Sequence, residues 1–79
     1  MALIQQIERV TKERQVVHKP TRCLASDFIG PGDKRYLQLD TYGTDDREFP
    51  EKVSQALQFG EDGARELLSL IKSTFPNLT

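Results

Sequence analysis

The feature that most constrains the fold of this chain is a turn followed by an alternating strand near its middle. Residues 30–34 read GPGDK. Proline fixes φ and glycine permits positive φ, so this run predicts a tight turn between two strands. In the next segment, Arg35–Tyr42, one face carries Leu37, Leu39 and Thr41, and the other carries Tyr36, Gln38, Asp40 and Tyr42. Because successive strand side chains point to opposite faces, the pattern predicts a strand entered through a hairpin.

Two further strands are predicted beside this one. Residues 14–29 favour an extended chain, and we interpret them as a long or broken edge strand that tolerates Pro20. Lys52–Phe59 is predicted as a third strand, after a polar loop. Its apolar face is predicted to carry Val53, Leu57 and Phe59.

Helices are predicted near both ends of the chain. Glu61–Thr74 has an apolar arc at helical spacing, with Gly60 as a possible N-cap and Pro76 as a stop signal. The arc consists of Ala64, Leu67, Leu68, Ile71 and Phe75. Residues 2–13 predict a short amphipathic helix without a good N-cap, and a strand over Arg9–Val17 is the alternative.

These elements predict an α+β fold in a single domain spanning residues 1–79. Three antiparallel strands form a meander that packs against the C-terminal helix, with the short N-terminal helix beside it. A fourth strand is added if Glu8–Lys19 is extended. In either arrangement one face of the sheet has no cover from within the chain.

Cysteine content and hydropathy indicate the compartment. Cys23 is the only cysteine, so no internal disulfide is possible, and a reducing compartment is favoured. Residues 1–10 include charged side chains and no apolar run, so we expect no signal peptide. No segment approaches the roughly 20 apolar residues that a membrane span requires. We expect a soluble, cytoplasmic protein without a membrane partner.

The residue types that carry catalysis are sparse. His18 and Cys23 are the sole histidine and cysteine, and on an extended chain they would lie roughly 17 Å apart, too far for a nucleophile–base pair. The acidic residues of the predicted loop do not have the spacing of a calcium loop; they are Asp45, Asp46, Glu48 and Glu51. We therefore predict a binding protein rather than an enzyme, with no metal and no cofactor.

The uncovered sheet face indicates single-stranded nucleic acid as a ligand. It would display Tyr36, Gln38 and Tyr42, and aromatic rings on a sheet stack unpaired bases at about 1–3 kcal/mol per base. Basic residues would contact the phosphates, from the strand ends and from the first strand; they are Arg35, Lys52, Lys19 and Arg22. Residues 9–35 carry a net charge of +4 within a chain of net charge −1. Asp40, among the tyrosines, would repel a phosphate.

A resemblance to a known family agrees with this interpretation. The run YLQLDTYGTDDREFPEKVSQALQFGEDGARELLSLI, Tyr36–Ile71, resembles the strand–loop–strand–helix end of the transcriptional-coactivator (Whirly-related) single-stranded-DNA-binding proteins. The resemblance implies a role in transcription regulation, a curved antiparallel sheet, two chains paired through their helices, and single strands bound on the sheet faces. It places Tyr36, Gln38 and Tyr42 on the binding face and Lys52 against the backbone of the nucleic acid.

A leucine edge on the predicted helix is consistent with a homodimer. Leu67 lies at the edge of the apolar arc, and Leu70 projects about 60° beyond it at about 100° per residue. We expect both at the dimer interface. The near-zero net charge and the acidic second half leave an alternative open, in which the same face or helix edge binds a protein partner as a regulatory or inhibitor module.

Overall fold

The computed structural model describes residues 1–42 and 53–78 and has the predicted α+β architecture. Its elements are β1 (Ala2–Ile4), β2 (Cys23–Ile29), β3 (Arg35–Tyr42), β4 (Val53–Phe59) and α1 (Glu61–Thr74). The four strands form one sheet in the order β1-β4-β3-β2. The meander β2–β3–β4 is antiparallel as predicted, whereas β1 pairs with β4 in parallel, so the sheet is mixed.

The hairpin between β2 and β3 is confirmed. A single 3-10 turn, Pro31–Asp33, joins the strands, and the Gly30 N–H donates a hydrogen bond to the Lys34 carbonyl at 2.8 Å. Positive φ occurs at Gly32 (73°) and at Asp33 (58°). Aspartate is one of the few residues with a side chain that tolerates this region. The turn sets an unbroken register from Ile29 opposite Arg35 to Cys23 opposite Thr41.

A bulge changes the face on which β4 begins. Gln55 pairs with Thr41, but Val53 pairs with Tyr42, so the register shifts by one residue at this point. Directly paired residues share a face. The prediction that Val53 lies with Leu57 and Phe59 is therefore wrong, because the extra residue in β4 moves Val53 to the face of Tyr42.

The N-terminal segment differs from both sequence-based interpretations. The helix predicted over residues 2–13 is absent, and β1 pairs with Leu57–Phe59 instead. A short isolated helix without a cap is marginal, whereas the edge of β4 offers unpaired backbone groups to an apolar strand. The fourth strand thus comes from Ala2–Ile4 and not from residues 8–19.

Residues 5–22 form neither helix nor strand. Residues 7–9 of this segment pass along α1, where the Ile7 N–H donates to Glu66 Oε2 at 2.6 Å and Arg9 donates to Ser73 Oγ at 2.9 Å. The predicted edge strand over residues 14–29 is accordingly shorter than expected, since β2 begins only at Cys23, beyond Pro20.

The C-terminal helix has the predicted bounds, Glu61–Thr74. Its first turn approaches β1 so closely that a Cβ atom on Gly63 would lie 2.0 Å from the carbonyl oxygen of Ile4. Gly63 is buried there, beside Phe59. A glycine inside a helix costs about 1 kcal/mol relative to alanine, and here the close approach to β1 requires it.

The apolar arc of α1 covers less of the sheet than predicted. Leu68 is 52 % exposed and Phe75 is 56 % exposed, while Leu57 on the sheet is 38 % exposed. Within the described ranges, the buried apolar side chains are those of Ala56 and Phe59. The helix meets β1 and the end of β4 in its first turn and residues 7–9 further along, and much of its apolar surface stays exposed. In the same described ranges, no helix is long and apolar enough to cross a membrane.

Candidate nucleic-acid interface

The candidate site is the sheet face that carries Tyr36, Gln38, Asp40 and Tyr42, here called the polar face. The register adds residues from both neighbouring strands to it. From β2 these are Phe28, Ser26 and Leu24, and from β4 they are Gln58, Ala56 and Val53. The predicted residues of β3 are thus brought together on one face, in the middle of the sheet.

At one end of this face, Tyr36 is packed into the fold. Its ring stacks on Phe28 with centroids 5.6 Å apart and planes inclined by 22°. A Cβ atom on Gly30 would lie 2.6 Å from Tyr36 Cε2, and one on Gly60 would lie 3.5 Å from Cε1. The ring therefore occupies space that two glycines leave open, and much of it is unavailable to a ligand.

Phe28 is a residue of this face that the sequence-based prediction missed. It lies directly opposite Tyr36 across the hairpin. A signal for it was available, because the turn at residues 30–34 fixes which β2 residue faces each β3 residue. Counting back through that turn would have paired the two aromatic rings.

The centre of the face carries a chain of hydrogen bonds across β4 and β3, here called the polar track. Gln58 Nε2 donates to Gln38 Oε1 at 2.9 Å, and Gln38 Nε2 donates to Asp40 Oδ1 at 2.9 Å. Gln38 is thus held from both sides. One N–H of its side-chain amide and the second oxygen of Asp40 have no partner among the described residues.

At the other end, Tyr42 lies under a cation. The guanidinium carbon of Arg22 is 4.6 Å from the centroid of the Tyr42 ring, within the range of a cation–π contact. Thr21 Oγ1 also donates to the Tyr42 carbonyl, which ties the segment before β2 to the end of β3. Arg22 and Tyr42 are therefore brought together as a planar cation on an aromatic ring.

The other predicted basic residues have different locations. Arg35 follows the alternation of β3 to the apolar face, where it forms an exposed ion pair with Asp27. Lys19 is exposed in the segment before β2. Lys52 lies outside the described residues, as does the acidic loop at residues 44–51. Arg22 is the predicted cation that contacts an aromatic residue of the polar face.

Two cavities lie beside the sheet, one on the polar face and one mainly on the apolar face at its Tyr36 end. One of about 460 Å³ lies over the polar track and β1, and Gln38, Asp40, Val53, Ala56 and Gln58 contribute to its lining. The other, of about 750 Å³, lies at the Tyr36 end. Its lining includes four carboxylates and two cations, namely Asp27, Asp33, Glu61, Asp62, Lys34 and Arg35. The larger cavity is therefore net acidic and poorly suited to a phosphate.

The predicted dimer residues are half-buried in the protomer. Leu67 and Leu70 both have intermediate exposure, and the more exposed apolar side chains of α1 are Leu68 and Ile71.

For metal binding, the part of the chain that the structure describes holds no group of three or more His, Cys, Asp or Glu side chains that could bind an ion. Cys23 is exposed and unbonded to another cysteine.

Comparison of the chain with models of protein families, with curated proteins and with solved structures finds no match. The chemistry of the polar face is therefore the basis on which its function is inferred.

Proposed function

We propose that this chain is a non-enzymatic binding domain that holds single-stranded nucleic acid on the polar face. The observation that supports this best is the Arg22–Tyr42 pair next to the polar track. A guanidinium on an aromatic ring offers a flat surface for a base and a positive charge for a phosphate. The amides of the track add hydrogen-bonding groups for base edges.

Binding of unstructured single-stranded DNA to the full chain tests this proposal. Fluorescence anisotropy with a 12-nucleotide thymine oligomer at low salt should give a dissociation constant in the micromolar range or tighter. Affinity should fall steeply as salt rises, because cations on the protein displace counterions from the strand. A duplex control should bind more weakly, since its bases are already stacked on each other. No binding at low salt would overturn the proposal.

We further propose that two copies pair through the open face of α1. An apolar helix face that the protomer leaves exposed is a candidate contact for a second copy. Leu67 and Leu70, with the exposed Leu68 and Ile71, provide apolar area for it.

Light scattering of the full chain tests the pairing. The wild type should have the mass of two chains, and Leu68→Glu should shift it toward one, because a charge at a buried apolar contact is unfavourable. Ser69→Glu is the matched control, since it places the same charge at an exposed position one residue later. A monomeric wild type would contradict the proposed dimer.

A protein-binding module is the second candidate, and the acidic cavity at the Tyr36 end favours it. Its carboxylates would attract a lysine- or arginine-rich segment of a partner protein. This candidate requires a complex that survives nuclease treatment and weakens in Glu61→Gln and Asp62→Asn. A complex that nuclease abolishes would contradict it.

A further inference from the structure

The feature of the polar face that the proposed function leaves unexplained is a carboxylate in its centre. Asp40 lies between Tyr36 and Tyr42 on β3, where a negative charge repels phosphates. The side chain is half-buried, and it lines the smaller cavity together with Gln38, Ala56 and Gln58. A ligand group that donates hydrogen bonds would be complementary to a carboxylate in this position.

The polar track gives this carboxylate a fixed orientation. Gln38 Nε2 donates to Asp40 Oδ1 at 2.9 Å, and Gln58 holds the opposite side of the Gln38 amide, also at 2.9 Å. Among the described residues, Gln38 keeps a second N–H without a partner, and both Asp40 oxygens keep lone pairs, since a carboxylate has about four acceptor positions. The track therefore displays one donor followed by two acceptors.

This order of groups is complementary to one nucleobase. The Watson–Crick edge of guanine carries a carbonyl oxygen, a ring N–H and an amino group in sequence, which is one acceptor followed by two donors. Thymine has a single N–H between two carbonyls that a carboxylate repels. Adenine and cytosine each place a ring nitrogen lone pair beside their amino group. Guanine alone offers two adjacent donors to a carboxylate.

The small side chain at this position of β4 leaves room for a base. Ala56 lies opposite Asp40 in the register, is 6 % exposed, and lines a cavity of about 460 Å³. That volume lies within the range of about 300–1,000 Å³ that is usual for small-ligand sites. A base can therefore approach the track edge-on while its neighbour stacks at the Tyr42 end.

We propose that Asp40, oriented by Gln38, is a specificity residue that selects guanine in single-stranded nucleic acid. The inference rests on the proposed function, because it assigns the base that the same face prefers. Asp40 reads the ring N–H and the amino group, and Gln38 donates to the carbonyl. The charge that weakens general phosphate binding thereby gives sequence preference.

The test compares 12-nucleotide thymine oligomers with and without two isolated guanines, by fluorescence anisotropy on the full chain at low salt. The wild type should bind the guanine-containing oligomer at least about fivefold more tightly, the lower end of what a bidentate base contact provides. Replacing each guanine by inosine, which lacks the amino group, should remove part of that preference.

Substitution of the carboxylate separates recognition from simple repulsion. In Asp40→Asn the preference should fall below about twofold, with affinity for the thymine oligomer unchanged or increased. Asp33→Asn is the matched control, because it removes the same charge at the hairpin turn, where asparagine tolerates the positive φ; the preference should persist.

Two results would overturn the inference and leave the proposed function intact. One is equal binding of both oligomers by the wild type. The other is an equal gain for both in Asp40→Asn, which would mean that the carboxylate only repels phosphates. Failure to bind either oligomer would overturn the proposed function together with this inference.

Discussion

Tyr36 and Tyr42 lie on the same strand and the same face, yet their surroundings differ. Tyr36 stacks on Phe28, and the edges of its ring occupy the space where side chains on Gly30 and Gly60 would lie. Tyr42 has a cation over its ring instead. The alternation of a strand places two rings on one face, but the residues around each ring determine whether it stabilises the fold or remains available to a ligand. We infer that the Tyr36 end is structural and the Tyr42 end binds.

The largest expected effect comes from removing the packed ring. Tyr36→Ala should lower the free energy of unfolding by about 2–3 kcal/mol, less than the ~3–5 kcal/mol for a fully buried aromatic residue because Tyr36 is half-buried. Urea denaturation measures this. Tyr36→Phe keeps the ring and should stay within about 0.5 kcal/mol of wild type. If Tyr36→Ala left the free energy of unfolding unchanged, the inference that the Tyr36 end of the face is structural would be wrong.

Removal of the Tyr42 ring should affect the affinity for a single-stranded oligomer more than it affects stability. Tyr42→Ala should weaken binding of a single-stranded oligomer by about 1–3 kcal/mol, the contribution of one base–aromatic stack. Its unfolding free energy should change less than that of Tyr36→Ala. Anisotropy and urea denaturation on the same preparations give both numbers. If Tyr36→Phe weakened binding as much as Tyr42→Ala, the assignment of roles would be wrong.

Alanine substitutions of Gly30 and Gly60 test how tightly the Tyr36 ring is packed. The methyl group in Gly30→Ala would lie 2.6 Å from Tyr36, whereas the one in Gly60→Ala would lie at the ordinary contact distance of 3.5 Å. Gly30→Ala should therefore cost about 1–2 kcal/mol through overpacking, and Gly60→Ala should cost less. Thermal unfolding of the two variants would contradict this if their order were reversed.

The smallest effect is expected from the cation at the Tyr42 end. Arg22→Gln should weaken binding by about 0.5–1 kcal/mol, because the guanidinium no longer contributes a cation–π contact to a stacked base. It should also reduce the salt slope by about 0.7 if Arg22 neutralises one phosphate of a single strand. Arg35→Gln is the control, because Arg35 lies on the opposite face beside Asp27. Equal losses in both variants would indicate that general charge, and not this contact, governs binding.

The elements predicted correctly from the sequence are those specified by neighbouring residues. The turn at residues 30–34 contains its own proline and glycines, and the bounds of α1 follow from Gly60 and from an apolar arc that ends before Pro76. The alternation of β3 likewise predicted which of its residues share a face. Such signals are local, so they can be read without knowing the tertiary structure.

The features that were missed depend on partners distant in sequence. Nothing within Ala2–Ile4 distinguishes a strand from a helix until the edge of β4 is present beside it. The shift at Val53 depends on how β3 and β4 pair, although they are separated in sequence by residues 43–52. The Tyr36 ring packs against Gly30, before the hairpin turn, and against Gly60, between β4 and α1. The sequence around either glycine does not indicate that it lies beside Tyr36.

The parallel strand at the N-terminus has a consequence for the order of folding. Ala2 pairs with Leu57, so during synthesis β1 is made before β4 and has no partner until β4 has followed. The hairpin of β2 and β3 needs only adjacent residues and can form early, whereas β1 must dock late onto a completed β4. Substitutions in β1 should consequently accelerate unfolding and leave the folding rate almost unchanged. We therefore expect β1 to close the edge of a sheet whose folding nucleus forms without it.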